Sequence, residues 1–315
     1  MNMSMMKIKL TFIILHLFLV FIQGIHAQES EKQPNILLIV SDDLRTELRC
    51  YGATYMHTPN IDRLANEGIV FRNAYVQQAV CAASRASFLT GCRPETTGAD
   101  YPYSLYFATE FWPEHPSICE YFEMNGYYVR TYGKIHHGPA DKLSTPHYSP
   151  GVGESGGKYY ALPENIVAGG STGISENTPP VECADVNDEA YIDGLLAQRA
   201  IADLYEYASS GNEKPFFYAV GFKKPHLPFA SPKKYWDLYN RDSIYIVDNQ
   251  LHPLNSPEYS TVNYALRKYS GPNPEDYPNG LPVDRQKEIR HGYFAAVSYI
   301  DALTGKILGK LDELA

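Results

Sequence analysis

The stretch VCAASRASFLTG, Val80 to Gly91, sets a cysteine four residues ahead of an arginine at what reads as the start of a short helix closed by Gly91. The first turn of a helix leaves backbone N–H groups unpaired and carries the positive end of the dipole, so a group at Cys81 would stand where an anion is welcome. Arg85, one turn on, adds a planar fork of donors able to grip an oxyanion. Three more polar groups each come directly after an apolar run: Asp42 and Asp43 after NILLIV, Lys134 with His136 and His137 after YYVRTYG, and Lys223, Lys224 and His226 after FFYAVGF. Adjacent carboxylates repel unless a cation lies between them, and calcium or magnesium takes such oxygens. The same pair would equally serve as a helix cap, and His136 and His137 taken alone suit a surface or a core. His226, flanked by prolines in KPHLPF, is held by a stiffened loop. Together these residues describe a nucleophile at Cys81 acting on an anionic ester beside a divalent cation.

Such groups must be carried by a frame. Short apolar runs alternate with helical stretches, the pattern of an α/β protein with a parallel sheet between helices. PNILLIV reads as a strand buried on both faces, and TPNIDRLANEG as a helix with Asn60 as N-cap and Gly68 past its end. SICEYFEMNG gives a helix from Ser117 to Gly126, and DEAYIDGLLAQRAIADLYEYASSG a long amphipathic one of about six turns. YFAAVSYIDALTGKILGKLDEL is the last helix. Residues 141–187 and 241–285, rich in Gly, Pro, Asn, Ser or Tyr, read as long loops, either solvated connections or a substrate-facing rim. Ligands of open α/β sheets bind beyond the carboxyl ends of the strands. Three separate strands therefore deliver the carboxylates, the lysine with histidines, and the lysine pair with His226 to one edge.

With 315 residues, 44% hydrophobic and 13% aromatic, the chain can bury a sizeable core. A net charge of -9 argues against a nucleic-acid partner and against a polybasic membrane patch. Lys7 and Lys9 precede the apolar run Leu10 to Ile22, and small residues end at Ala27, as in a cleaved secretory signal of residues 1–27. The run is short for a membrane span, so no stable membrane anchor is expected. The five cysteines, an odd number without tight spacing, describe neither a disulfide framework nor a zinc ribbon.

CAASRASFLTG resembles the signature of the sulfatases. PNILLIVSDDLR, TPNIDRLANEGIVFRNAYV, TGCRPETTG, GYYVRTYGKIHH and FFYAVGFKKPHLPF are similar to further blocks of that family, in its order, and specifically to its iduronate-2-sulfatase-like branch. The resemblance runs from Pro34 to Ala315. It implies a predominantly parallel mixed sheet with helices on both faces, of the alkaline phosphatase and sulfatase kind, in a catalytic domain spanning residues 28–315. It implies that Cys81 is oxidised to formylglycine by a maturation enzyme and that its hydrate attacks the sulfur of a sulfate ester. Asp42, Asp43 and the modified Cys81 would hold calcium, and Arg85 would hold the formylglycine. Lys134, Lys224 and His226 would bind substrate, and His137 would join Lys134 in the catalytic set. The substrate implied is a sulfated carbohydrate of the glycosaminoglycan type, and the location is periplasmic or secreted, lysosomal in a eukaryote.

Three departures accompany the resemblance. Ala83 stands where many members have proline. His136 and His137 satisfy both of the family's lysine–histidine spacings, with GKIHHG favouring His137. The second pair of calcium ligands, expected in Ser-Asp-His-Gly or Ser-Asp-Asn-Gly on a later strand, has no counterpart; Asp248-Asn249 lies too early, in a loop, and reads as a turn. The expectation is of an incomplete domain, with half its metal site absent. Two alternatives stay open: a phosphate or phosphonate ester hydrolase of the same superfamily, and an inactive remnant that binds sulfated glycans.

Overall fold

The computed structural model describes residues 33–98, 116–136, 159–169, 173–250, 254–257, 265–271 and 281–314. The chain divides into two units, Met1–Asn35 and Ile36–Ala315. The signal reading, residues 1–27, lies outside the described residues. The principal elements of the second unit are β1 (Ile36–Asp42), α1 (Pro59–Glu67), α2 (Cys81–Thr90), α3 (Ile118–Met124), β2 (Tyr128–Gly133), β3 (Val181–Ala184), α4 (Ile192–Ser209), β4 (Phe216–Pro225), β5 (Phe229–Pro232) and α5 (Val283–Leu314).

A three-stranded parallel sheet in the order β1-β4-β2 forms the centre, with Ile36 opposite Phe217 and Tyr128 opposite Phe216. The continuous apolar run of β4 is explained by its place between two strands and two layers of helix. Side chains alternate along a strand, so Phe216, Tyr218, Val220 and Phe222 pack with Leu196, Ala200 and Leu204 of α4 and Ala295, Tyr299 and Leu303 of α5. Phe217 and Ala219 face the other way, onto Leu89 of α2 and Cys119 of α3. The sequence reading of a parallel α/β sheet covered on both faces is what the chain adopts. A second, two-stranded parallel sheet joins β3 to β5.

Several local readings need correction. Asn60 is not an N-cap: Thr58 holds that position and makes no side-chain cap bond. The cap comes from α5, where the buried Asp301 accepts from Asn60 N at 3.1 Å and Ile61 N at 2.8 Å. Gly305, one turn along, makes room for it, since a Cβ there would lie 2.3 Å from Asn60 Oδ1. The final helix starts at Val283, ten residues before Tyr293, because its first three turns are mostly polar and offer no apolar stripe. Within the loop assigned to 141–187 stand a short helix, Pro163–Gly169, and β3; residues 141–158 lie outside the described set. The helix read from Asp188 begins at Ile192, after a 3₁₀ turn at Asp188–Ala190. The capping box at Ser117 and Glu120 opens α3 as its sequence requires. All five cysteines are free. Among the described residues, no helix is long and apolar enough to cross a membrane.

Candidate active site

The carboxyl ends of β1, β2 and β4 bring together the groups that the sequence places after them. Asp42, the last residue of β1, is 2% exposed. One of its oxygens accepts from Arg85 Nη1 at 2.9 Å and the other from Lys134 Nζ. Burial works against the Asp42 carboxylate, but Lys134 and Arg85 more than offset it and hold the group below the usual carboxylate range. Arg85 also donates through Nε to the Lys134 carbonyl at 3.2 Å. Its remaining terminal nitrogen, Nη2, is buried and has no partner among the described residues. A guanidinium nitrogen sealed from water and left unpaired is costly, and it is a donor open to an oxygen-bearing group.

Lys134 reaches this cluster because the chain at the end of β2 runs close against β4. Its N–H donates to the Gly221 carbonyl at 2.7 Å. A Cβ on residue 221 would lie 2.3 Å from the Lys134 carbonyl, so only glycine permits the approach. Asp43, next to Asp42, has φ 58, a left-handed conformation that aspartate tolerates better than most residues. This turn sends the two neighbouring carboxylates in different directions: Asp42 inward, Asp43 into solvent. Tyr293 of α5 pins the turn, donating its hydroxyl to the Asp43 carbonyl at 3.0 Å and accepting from Arg45 N at 2.8 Å.

His226 stands opposite, with Nε2 at 3.8 Å from Asp43 Oδ2. Its Nδ1 lies 2.6 Å from the Leu227 carbonyl. A carbonyl only accepts, so Nδ1 carries the proton and Nε2 presents its lone pair to the site. Burial and then Lys134 push the imidazole below its ordinary range, with Asp42 and Asp43 opposing. Cys81 is half-buried at the first position of α2, one turn (about 6 Å along the axis) from Arg85, which fastens the helix to Asp42 and Lys134.

The other expected site residues fare differently. Lys224 does not present its ammonium to the site. The residue is 1% exposed, and Nζ donates to the Pro228 carbonyl at 2.5 Å, so its expected contact with substrate is replaced by one with its own loop. Burial pushes this ammonium down to about 8, with Asp193 opposing. His137 lies outside the described residues. His136 is buried, and burial followed by the Arg85 charge pushes it down to about 4, a neutral ring at physiological pH. Asp248 is exposed in a bend, its N–H directed at the Tyr245 hydroxyl, as a turn residue would be.

The donors fit the two implied groups unequally. An aldehyde-derived oxygen at position 81 suits the unpaired Arg85 Nη2. Calcium is another matter. Asp42 has both oxygens engaged by cations, and among the described residues no group of three His, Cys, Asp or Glu is placed to hold a metal ion. Calcium takes six to eight oxygens, so Asp42 and Asp43 make one side of a shell and not a site.

Sequence reasoning missed Tyr293 and Asp193. Asp193, in the first turn of α4, accepts from the backbone N–H groups of Lys223 and Lys224. An acid there reads as an ordinary helix-dipole residue, and no local pattern announces its longer-range bonds.

Residues 34–315 match the family model described as Sulfatase. The chain is 37% identical over 300 residues to iduronate 2-sulfatase of Homo sapiens, covering 89% of this chain and 52% of that protein. It spans about half the length of the curated relatives it matches. Among solved structures, the phosphonate monoester hydrolase of Agrobacterium radiobacter superposes with a TM-score of 0.63 at 20% identity, over 90% of this chain and 60% of that one. A structure solved with its substrate D-glucosamine-2-N,6-O-disulfate gives 0.59 at 18% identity, over 90% and 63%. At such identities these two establish a common fold and nothing further.

Proposed function

The chain belongs to the sulfatase family, and from that premise we propose that the protein hydrolyses sulfate esters of sulfated carbohydrates, glycosaminoglycan-type glycans among them. The observation that carries this reading is Arg85: one nitrogen on Asp42, one on the Lys134 carbonyl, and Nη2 buried without a partner one turn from Cys81. Cys81, oxidised to formylglycine by a maturation enzyme, would supply the attacking hydroxyl. Arg85 Nη2 would donate to that oxygen, while Lys134 offers positive charge to a sulfate oxygen. Asp42 holds both cations in place, so local attraction exceeds the field of a net acidic chain. His226, its Nδ1 proton committed to Leu227, presents Nε2, which would take up the proton released as the attacking hydroxyl bonds to sulfur and hand it to the departing alkoxide. His137 remains part of the proposal as a second imidazole of the catalytic set. Calcium is proposed as cofactor with Asp42 and Asp43 as two of its ligands. The described residues leave its shell open, and no step is assigned to it. The protein is proposed to be exported by residues 1–27, to the periplasm or the exterior.

The open metal shell favours one second reading, a chain that binds sulfated glycans without turning them over. Parallel rates with an aryl sulfate and an aryl phosphate ester separate the possibilities. Faster release of sulfate supports the proposal, faster release of phosphate points to a phosphoester hydrolase, and glycan binding with neither product points to the second reading.

A further inference from the structure

β4 does not end with its apolar run. Phe222 pairs with Ser41, but the next pair is Pro225 with Asp42, so Lys223 and Lys224 are extra residues on β4. A bulge of this kind re-aims the chain beyond it, and the first residue beyond β4 is His226. The two bulge N–H groups go to a single carboxylate: Lys223 N to Asp193 Oδ1 at 2.8 Å and Lys224 N to Asp193 Oδ2 at 3.0 Å. Asp193 is 1% exposed, in the first turn of α4. The Lys224 carbonyl accepts from Ser41 Oγ at 2.7 Å, tying the bulge to β1 beside Asp42. The Lys224 ammonium then folds back onto the loop, 2.5 Å from the Pro228 carbonyl and 3.5 Å from that of His226. Every polar group of the bulge except the Lys223 side chain is thereby spent on fixing the segment that carries the imidazole.

We propose that Asp193 and Lys224 are positioning residues of this site: the carboxylate clamps the bulge by its N–H groups, the ammonium clamps the next turn by its carbonyls, and together they set where the His226 ring stands against Asp43. Neither touches the reacting atoms. Their kinetic consequence rests on the hydrolytic reading of the site; their structural consequence does not.

The test uses Asp193→Asn and Lys224→Met in the full protein. The first keeps shape but turns an NH2 donor against one of the two N–H groups; the second keeps the stem's packing and removes the ammonium. For variants folded at the assay temperature, kcat on an aryl sulfate falls about 10²-fold with KM little changed, the scale of a misplacement near 1 Å. The double variant loses no more than the worse single one, because both act through the same loop. An unchanged kcat in either folded variant overturns the proposal. If the wild type turns over no sulfate ester, the hydrolytic reading fails, and backbone hydrogen exchange decides this one. The Lys223 and Lys224 amides are expected to exchange slowly in the wild type and to lose protection in Asp193→Asn. Fast exchange in the wild type refutes the clamp, even where neither variant folds.

Discussion

Asp42 and Asp188 are both buried carboxylates that meet two cations, yet only Asp42 stands at the candidate site. Asp188 is ion-paired with Lys234 and Lys306, both at 2.7 Å, and accepts the Tyr235 hydroxyl at 3.0 Å, while its carbonyl takes the Tyr299 hydroxyl at 2.8 Å. Its lysine side chains are 55% and 43% exposed, so the hydrogens that Asp188 does not take are open to solvent. Asp42 meets cations that are 5% and 17% exposed, and beside it one guanidinium nitrogen is unpaired where water does not reach. Asp188 fastens α5 to the turn before α4. Asp42 holds two charges ready at the end of the sheet, with Asp43 and His226 beside them and Cys81 one turn before Arg85 on α2. A carboxylate with two cations is therefore a staple when the donors are satisfied and a candidate site when one is held in reserve.

The contrast can be broken or sharpened by substitution. The largest effect is expected from Cys81→Ala, which should bring sulfate ester turnover to background while leaving thermal stability nearly intact; a surviving rate would remove the nucleophile from position 81. Arg85→Lys keeps the charge but loses the fork, and kcat should fall by about 10²–10³-fold, the usual loss for one preorganised donor. At the other cluster, Asp188→Asn should leave kcat unchanged and cost about 1–3 kcal/mol in denaturant unfolding. A kinetic effect of comparable size there would erase the distinction.

The acid range gives a finer test. Burial opposes the Asp188 carboxylate, but its bonds to Lys234 and Lys306 win and lower its affinity for protons on folding. A depressed folded value means stabilisation that is complete above the ordinary aspartate range near pH 3.8 and lost as pH falls through the folded value. The stability gap between wild type and Asp188→Asn should thus be widest near neutrality and narrow on acidification below that range, as followed by unfolding midpoints. The smallest effect is expected from Asp301→Ala, which removes the borrowed cap of α1 and should cost about 1–2 kcal/mol with kcat unchanged.

How far the sequence discloses this arrangement depends on the range of the forces involved. β1, β2 and β4 were legible because buried parallel strands are continuous apolar runs, and where each run stops locates Asp42, Lys134 and His226 at one edge. Their approach to one another is realised in the Asp42–Lys134 bond and the Asp43–His226 proximity. Side-chain direction was not legible. Lys224 stands beside His226 in sequence, yet the bulge turns it inward, and a bulge depends on Asp193, some thirty positions away. The Asp301 cap of α1 spans 240 residues and has no local signature. The start of α5 was hidden because polar helical turns carry no periodic apolar signal.

The most direct test of the account is the mass of the peptide that contains Cys81, from protein made in cells that possess a formylglycine-generating enzyme. The aldehyde is expected at that position. An intact thiol in fully matured, catalytically active protein would contradict it.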